Sequence, residues 1–150
     1  MTAPKLRSAR DWVTHWQSRR SHTAAELRAK LERKDFTVTQ VAEAMIWAAR
    51  YAGQNDEAVA THAAESRQQQ RYGQARIAAE LEARGIAADH AQRVTQTTAS
   101  DEGQRAEAAL GSQLARFAGE AHKAAAWLSR RGFEEDLVRR TVEKLVGPLE

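Results

Sequence analysis

The chain has 150 residues, 23 Lys/Arg against 20 Asp/Glu for a formal charge of +3, no Cys and only 6% aromatic residues. The lack of Cys excludes disulfides and thiolate metal sites, and so few large side chains imply a thin core built mainly from Ala, Leu and Val. No apolar run approaches the roughly 20 residues that span a bilayer, and the opening MTAPKLRSARDW lacks the apolar segment of a secretory signal, so the expectation is a cytoplasmic protein with no membrane partner.

Only Pro4 and Pro148 interrupt the chain, one near each end, so helix can run nearly throughout. The first predicted helix, 8–20, carries Trp12 and Trp16 four residues apart and ends on Arg19 and Arg20. Thr23 with Glu26 and Thr37 with Gln40 have capping-box spacing, in which hydroxyl and longer side chain satisfy exposed N–H groups reciprocally; they open helices 24–34 and 38–51. Asn55 or Asp56 caps a helix over 56–71, followed after Gly73 by helices at 74–84 and 88–98. Ser100 or Asp101 opens 101–117, then come 120–131 and, behind the acidic Glu134, Glu135 and Asp136, a last helix at 135–146. Strands have no competing pattern, and the short joints make successive helices neighbours.

Three segments superpose without gaps, starting at Glu26, Arg76 and Lys123. Leu31, Leu81 and Leu128 coincide, as do Lys34, Arg84 and Arg131, then Asp35, Gly85 and Gly132, then Phe36, Ile86 and Phe133. A basic residue at the carbonyl end of a helix, a turn residue that takes the left-handed conformation and a large apolar residue that staples the next helix form one mechanical unit. With a third helix between copies, the unit recurs about every 47 to 50 residues. The predicted class is therefore all-α: tandem three-helix repeats stacked into an elongated, curved right-handed-type array, in which neighbours complete each other's cores. The expected divisions are a basic lead-in at 1–20, repeat 1 at 21–71, repeat 2 at 72–117 and a partial repeat, a helical pair, at 118–150. Small residues at Ala87, Ala88, Ala91 and Thr95 make the middle unit the weakest.

With the repeats aligned, three stretches resemble the RecX family of recombinase regulators. RRSHTAAELRAKL (19–31) resembles the family's opening motif; NDEAVATHAAESRQQQRYGQARIAAELEARGI (55–86) its central motif, matched at Asp56, Val59, Ala60, Arg67 and Gly73; and KAAAWLSRRGFEEDLVRRTVEKL (123–145) its closing helical pair. The likeness covers about residues 18–146. Val59 stands where the family usually has an aromatic, and Asp35 where Gly is common. The resemblance implies a protein that lies in the helical groove of a RecA filament on single-stranded DNA. There it restrains the filament's ATP hydrolysis, strand exchange and co-protease function in DNA repair and the SOS response. It implies no enzymatic activity, no cofactor and no small-molecule substrate.

Residues 1–50 carry ten Lys/Arg against five Asp/Glu, the next fifty five against six, and the last fifty eight against nine. The candidates for contact with a recombinase or with phosphates are Arg19, Arg20, Arg28, Arg67, Arg71, Arg76, Arg84, Arg130 and Arg131, because a guanidinium pairs with carboxylate or phosphate through two parallel hydrogen bonds. Solvated helix faces and capped carbonyl ends also use Arg; for Arg84 and Arg131 both readings stand, whereas Arg67 and Arg71 converge on the turn at Gly73. His15, His22, His62, His90 and His122 lack metal-ligand spacing. Trp47 and Trp127 read as core, and Trp12 and Trp16 as core or as a contact face. Glu80, Glu82, Glu134 and Glu135 lack a catalytic partner at spacing and read as surface and dipole charges. A three-helix module acting on bare DNA is the alternative; its basic residues would sit on one recognition helix, whereas here they are spread over the repeat joints.

Overall fold

The structure is a computed structural model that describes residues 8–98 and 101–150. Among them are nine helices and no strand: α1 (Ala9–Arg19), α2 (Ala24–Arg33), α3 (Val38–Tyr51), α4 (Asp56–Gln69), α5 (Gln74–Ala83), α6 (Ala88–Thr97), α7 (Glu102–Gly111), α8 (Ala121–Arg130) and α9 (Glu135–Leu145). All-α tandem three-helix architecture is thus present. Pro4 and the possible cap Ser100 lie outside the described residues.

Helix starts follow local chemistry. Thr23 and Thr37 each close a full capping box with Glu26 and Gln40. Ser8 forms a third with Asp11, a pair the sequence reading missed. Asn55 caps α4 by accepting from the Ala58 N–H, which releases Asp56 to accept from the Ala24 N–H at 2.8 Å. Asp101 accepts from the N–H groups of Gly103 and Gln104, and Glu134 from that of Leu137.

One expectation fails. The helix predicted through residue 117 ends at Gly111, and 112–119 form successive turns. The Ser112 hydroxyl donates to the Ala109 carbonyl, and the Gln113, Arg116 and Phe117 N–H groups donate three residues back. This tighter path swings Phe117 into burial at 4% exposure, its ring 5.6 Å from that of Trp127. Burial of one large ring in an Ala-rich core outweighs two more turns of α-helix.

The chain divides into two compact units. The first runs to Val59 and takes in Arg84–Ile86; Val13, Leu27, Leu31, Val41, Ala44, Met45 and Ala48 form its core. Half-buried Trp12, Trp16 and Trp47 pack against it, so all three have core roles. The second unit holds Ala60–Ala83 and Ala87–Glu150. One of its cores joins α7, α8 and α9 through Ala106, Leu110, Leu128, Phe133, Val138 and Val142, and Trp127 packs on its edge. The repeat register survives in three dimensions: Leu31, Leu81 and Leu128 are each at most 1% exposed, and Val41, Ala91 and Val138 at most 4%.

Candidate functional site

Each unit contains a joint in which a turn closing one repeat hairpin is seated against a helix start. The three turn residues have the left-handed backbone that their position demands: Asp35 at φ 61°, Gly85 at 90° and Gly132 at 95°. In repeat register the two helix starts correspond as well, Thr23 to Gly73 and Ala25 to Ala75.

In the first unit, the Thr23 hydroxyl donates to the Arg84 carbonyl at 2.6 Å. Gly85 lies so close to Ala25 that a Cβ placed on it would be 2.2 Å from the Ala25 Cβ. Glu26 then takes two guanidinium groups, Arg20 at 3.1 Å and Arg84 at 3.0 Å. Burial pushes its carboxyl pKa up, but the Thr23 N–H and the two arginines outweigh that and hold it at about 2. Beside them His22 is 1% exposed, with Nδ1 2.9 Å from the Arg20 carbonyl and Nε2 2.9 Å from Lys30 Nζ. Those partners suit a neutral ring that donates from Nδ1 and accepts at Nε2. Burial, then Arg20 and Lys30, push its pKa below the ordinary 6.5.

In the second unit the equivalent joint is backbone on backbone. The Gly73 N–H donates to the Arg131 carbonyl at 2.7 Å and the Ala75 N–H to the Gly132 carbonyl at 3.1 Å. A Cβ on Gly73 would stand 2.2 Å from the Gly132 carbonyl oxygen, so only glycine permits this approach. Arg71 enters the joint at φ 64°, a left-handed position that a side-chain-bearing residue occupies at a cost. The Arg131 side chain closes over it, donating from Nε to the Arg71 carbonyl and from Nη2 to the Gln70 carbonyl.

Tyr72 stands at the centre of this second joint. Its ring centroid lies 4.2 Å from the guanidinium carbon of Arg131, 4.4 Å from that of Arg76 and 5.4 Å from that of Arg67. Cations over a π face are attracted by the ring quadrupole, so one tyrosine gathers three charges that would otherwise spread. Glu80 bridges two of them, at 2.7 Å from Arg67 Nε and 3.3 Å from Arg76 Nε. Arg76 Nη1 also donates to the Arg130 carbonyl, Arg71 Nη1 to that of Ala108, and the buried Arg105 holds the Tyr72 carbonyl through Nε at 3.3 Å. Burial pushes the Arg105 pKa down, against the pull of Glu102 and Asp101.

The nine candidate arginines therefore sort into sets. Arg67, Arg76 and Arg131 gather round Tyr72 in the second joint, which Arg71 enters through its backbone and Arg130 through its carbonyl. Arg20 and Arg84 share Glu26 in the first, where one carboxylate offsets part of their charge. Arg19 and Arg28 are exposed and enter neither set of bonds. Sequence reasoning missed Tyr72, His22 and Arg105, and took Glu80 for a plain surface charge. A usable signal existed for two of them: in repeat register Tyr72 falls on His22, and both precede the helix start that receives the turn. Among the described residues no group of three or more His, Cys, Asp or Glu is placed to hold a metal, and no helix is long and apolar enough to cross a membrane.

Residues 55–94 match the family model described as RecX, second three-helix domain. The fold is similar to the crystal structure of RecX from Lactobacillus salivarius, with a TM-score of 0.80 and 16% identity, over 91% of this chain and 94% of that one. No curated protein matches in sequence.

Proposed function

From a chain that carries the RecX second three-helix domain in residues 55–94, inside a RecX-like fold, we propose a non-enzymatic regulator of a RecA-type recombinase. It binds the recombinase filament on single-stranded DNA in its helical groove and lowers ATP hydrolysis, strand exchange and co-protease activity, in the cytoplasm, in DNA repair and the SOS response. The observation that carries this reading is the position of the second joint: Arg67, Arg71, Tyr72, Arg76 and Glu80 all lie inside the matched segment. A preorganised cationic cluster there offers a surface for acidic side chains and phosphates, because its arginines are already held by carbonyls, a carboxylate and a ring.

The test compares bare single-stranded DNA, bare duplex and single-stranded DNA coated with recombinase and a slowly hydrolysed nucleotide, at two salt concentrations, with ATPase read in parallel. Preference for the coated strand together with reduced hydrolysis supports the proposal. Charge reversal by Arg67→Glu with Arg71→Glu then weakens filament binding by about tenfold or more. Equal binding to bare DNA with unchanged hydrolysis rejects it in favour of a module that acts on DNA alone.

A further inference from the structure

The second joint gathers three arginines round one ring. Each of its three ring-facing arginines is anchored to the protein by part of its fork: Arg67 through Nε and Nη1 to Glu80 and Gln70, Arg76 through Nε and Nη1 to Glu80 and the Arg130 carbonyl, and Arg131 through Nε and Nη2 to the carbonyls of Arg71 and Gln70. One terminal nitrogen of each, Arg67 Nη2, Arg76 Nη2 and Arg131 Nη1, has no partner among the described residues. Three donors from three separate groups, each with its guanidinium carbon within 5.4 Å of one ring centroid, suit an anion with oxygens in several directions. A phosphate is tetrahedral and can meet more than one guanidinium at once, whereas a planar carboxylate is satisfied by a single fork. Glu80 already supplies a carboxylate at the Nε edges, and one negative charge against three leaves the cluster electropositive.

We infer that Arg67, Arg76 and Arg131 form a phosphate seat, and that Glu80 is its internal competitor, drawing Arg67 and Arg76 together while weakening their hold on an incoming phosphate. Tyr72 is a positioning residue: its ring holds the three cations in place, and its hydroxyl is not needed. The seat rests on the reading of the second joint as the contact surface, but needs no recombinase for its test.

The repeat register supplies an internal control. Arg76 corresponds to Glu26 and Glu80 to Lys30, so the acidic and basic positions are exchanged in the first joint. There Arg20 and Arg84 meet on the Glu26 carboxylate, Arg84 through Nη2, whereas the second joint gathers its arginines round an aromatic ring.

The experiment uses the full chain and a fluorescent thirty-nucleotide oligo-dT, without recombinase, at several salt concentrations. Glu80→Gln, and Glu80→Ala as an independent removal of the same charge, tighten binding by about threefold to tenfold. Arg76→Gln, which keeps the Cβ packed on Gly132, weakens it by about fivefold and lowers the log–log salt slope by about 0.7, the loss of one single-strand phosphate contact. Tyr72→Phe leaves affinity unchanged and Tyr72→Ala lowers it. Displacement by inorganic tripolyphosphate assigns the seat to phosphate groups on any carrier; resistance to it assigns the seat to a strand. Looser binding in both Glu80 variants, with melting curves like the parent's, overturns the inference by making Glu80 an organiser of the cluster. Competition by polyglutamate equal to that by polyphosphate also overturns it, in favour of an acidic protein surface. Failure here leaves the filament test standing, and failure of the filament test leaves the seat intact.

Discussion

The two joints are built on one sequence plan and end with opposite chemistry. Both receive a basic residue, a left-handed turn residue and a large apolar residue at a helix start. In the first, a threonine hydroxyl reaches the Arg84 carbonyl and a carboxylate collects two guanidinium groups. In the second, a backbone N–H reaches the Arg131 carbonyl and a tyrosine collects three. The difference teaches that a repeat can keep its mechanics while its charge is reassigned. In one copy two guanidinium groups close on a carboxylate, and in the other three surround a tyrosine ring.

The largest effect that separates the joints is steric. Gly73→Ala puts a Cβ 2.2 Å from the Gly132 carbonyl oxygen, and backbone on both sides leaves little room to yield. A loss of about 3 to 5 kcal/mol is expected, seen as a lower melting temperature and as lost protection at the Gly73 and Ala75 amides. The matching change in the first joint, Thr23→Ala, removes one hydroxyl that accepts from the Glu26 N–H and donates to the Arg84 carbonyl. It is expected to cost about 1 to 3 kcal/mol. Equal losses at the two positions would break the distinction between a backbone joint and a side-chain joint.

Acid sharpens the same comparison at a smaller scale. Glu26 has a folded pKa of about 2 against an ordinary 4.5. Its folded value is depressed, so the stability it contributes is complete above pH 4.5 and is lost as pH falls towards 2. The shift corresponds to about 3 kcal/mol, which solvent on the pair's exposed side reduces to about 2. His22 acts in the neighbouring window: its pKa is also pushed down, so protonation favours the unfolded chain and stability starts to fall as pH drops below 6.5. Urea unfolding from pH 7 to pH 2.5 should decline in two stages, and Glu26→Gln should remove most of the lower one. A parent-like slope in that variant would show that the carboxylate is not what holds the joint.

Much of the architecture was legible because helix caps and turn geometry are local. The capping boxes at Thr23 and Thr37, the left-handed turns at Asp35, Gly85 and Gly132, and the buried Leu31, Leu81 and Leu128 all follow from patterns a few residues long. The end of α7 was not legible, because what draws Phe117 inward is Trp127, ten residues on. The site was legible in part. Three of the nine arginines, Arg67, Arg76 and Arg131, gather round Tyr72, next to the turn at Gly73. What assembles them did not show: Arg131 reaches Gln70 and Arg71 across some sixty residues, and Tyr72 was one aromatic among basic neighbours with no local sign that three of them would face it. Glu80 looked like any acidic residue on a helix surface until Arg67 and Arg76 were seen on either side of it.

The smallest predicted effect concerns two helices of the second unit that occupy the same repeat position. The α6 helix follows Ala87, which makes no side-chain cap, and buries Ala91, Val94 and Thr95. Its counterpart α9 is capped by Glu134 and buries Leu137, Val138, Thr141 and Val142. Three threonine hydroxyls of α6 and its end, Thr95, Thr97 and Thr98, donate to backbone carbonyls, and so help its C-terminal end and not its start. A missing cap alone is worth about 1 kcal/mol, so α6 amides should exchange about fivefold faster than those of α9 under native conditions. Uniformly slow exchange across residues 74–98 would mean that small side chains packed closely hold this unit as firmly as its larger neighbour. Faster exchange confined to α6, leaving Gly73 and Ala75 protected, would instead show that the second joint stays rigid while the helix beside it opens.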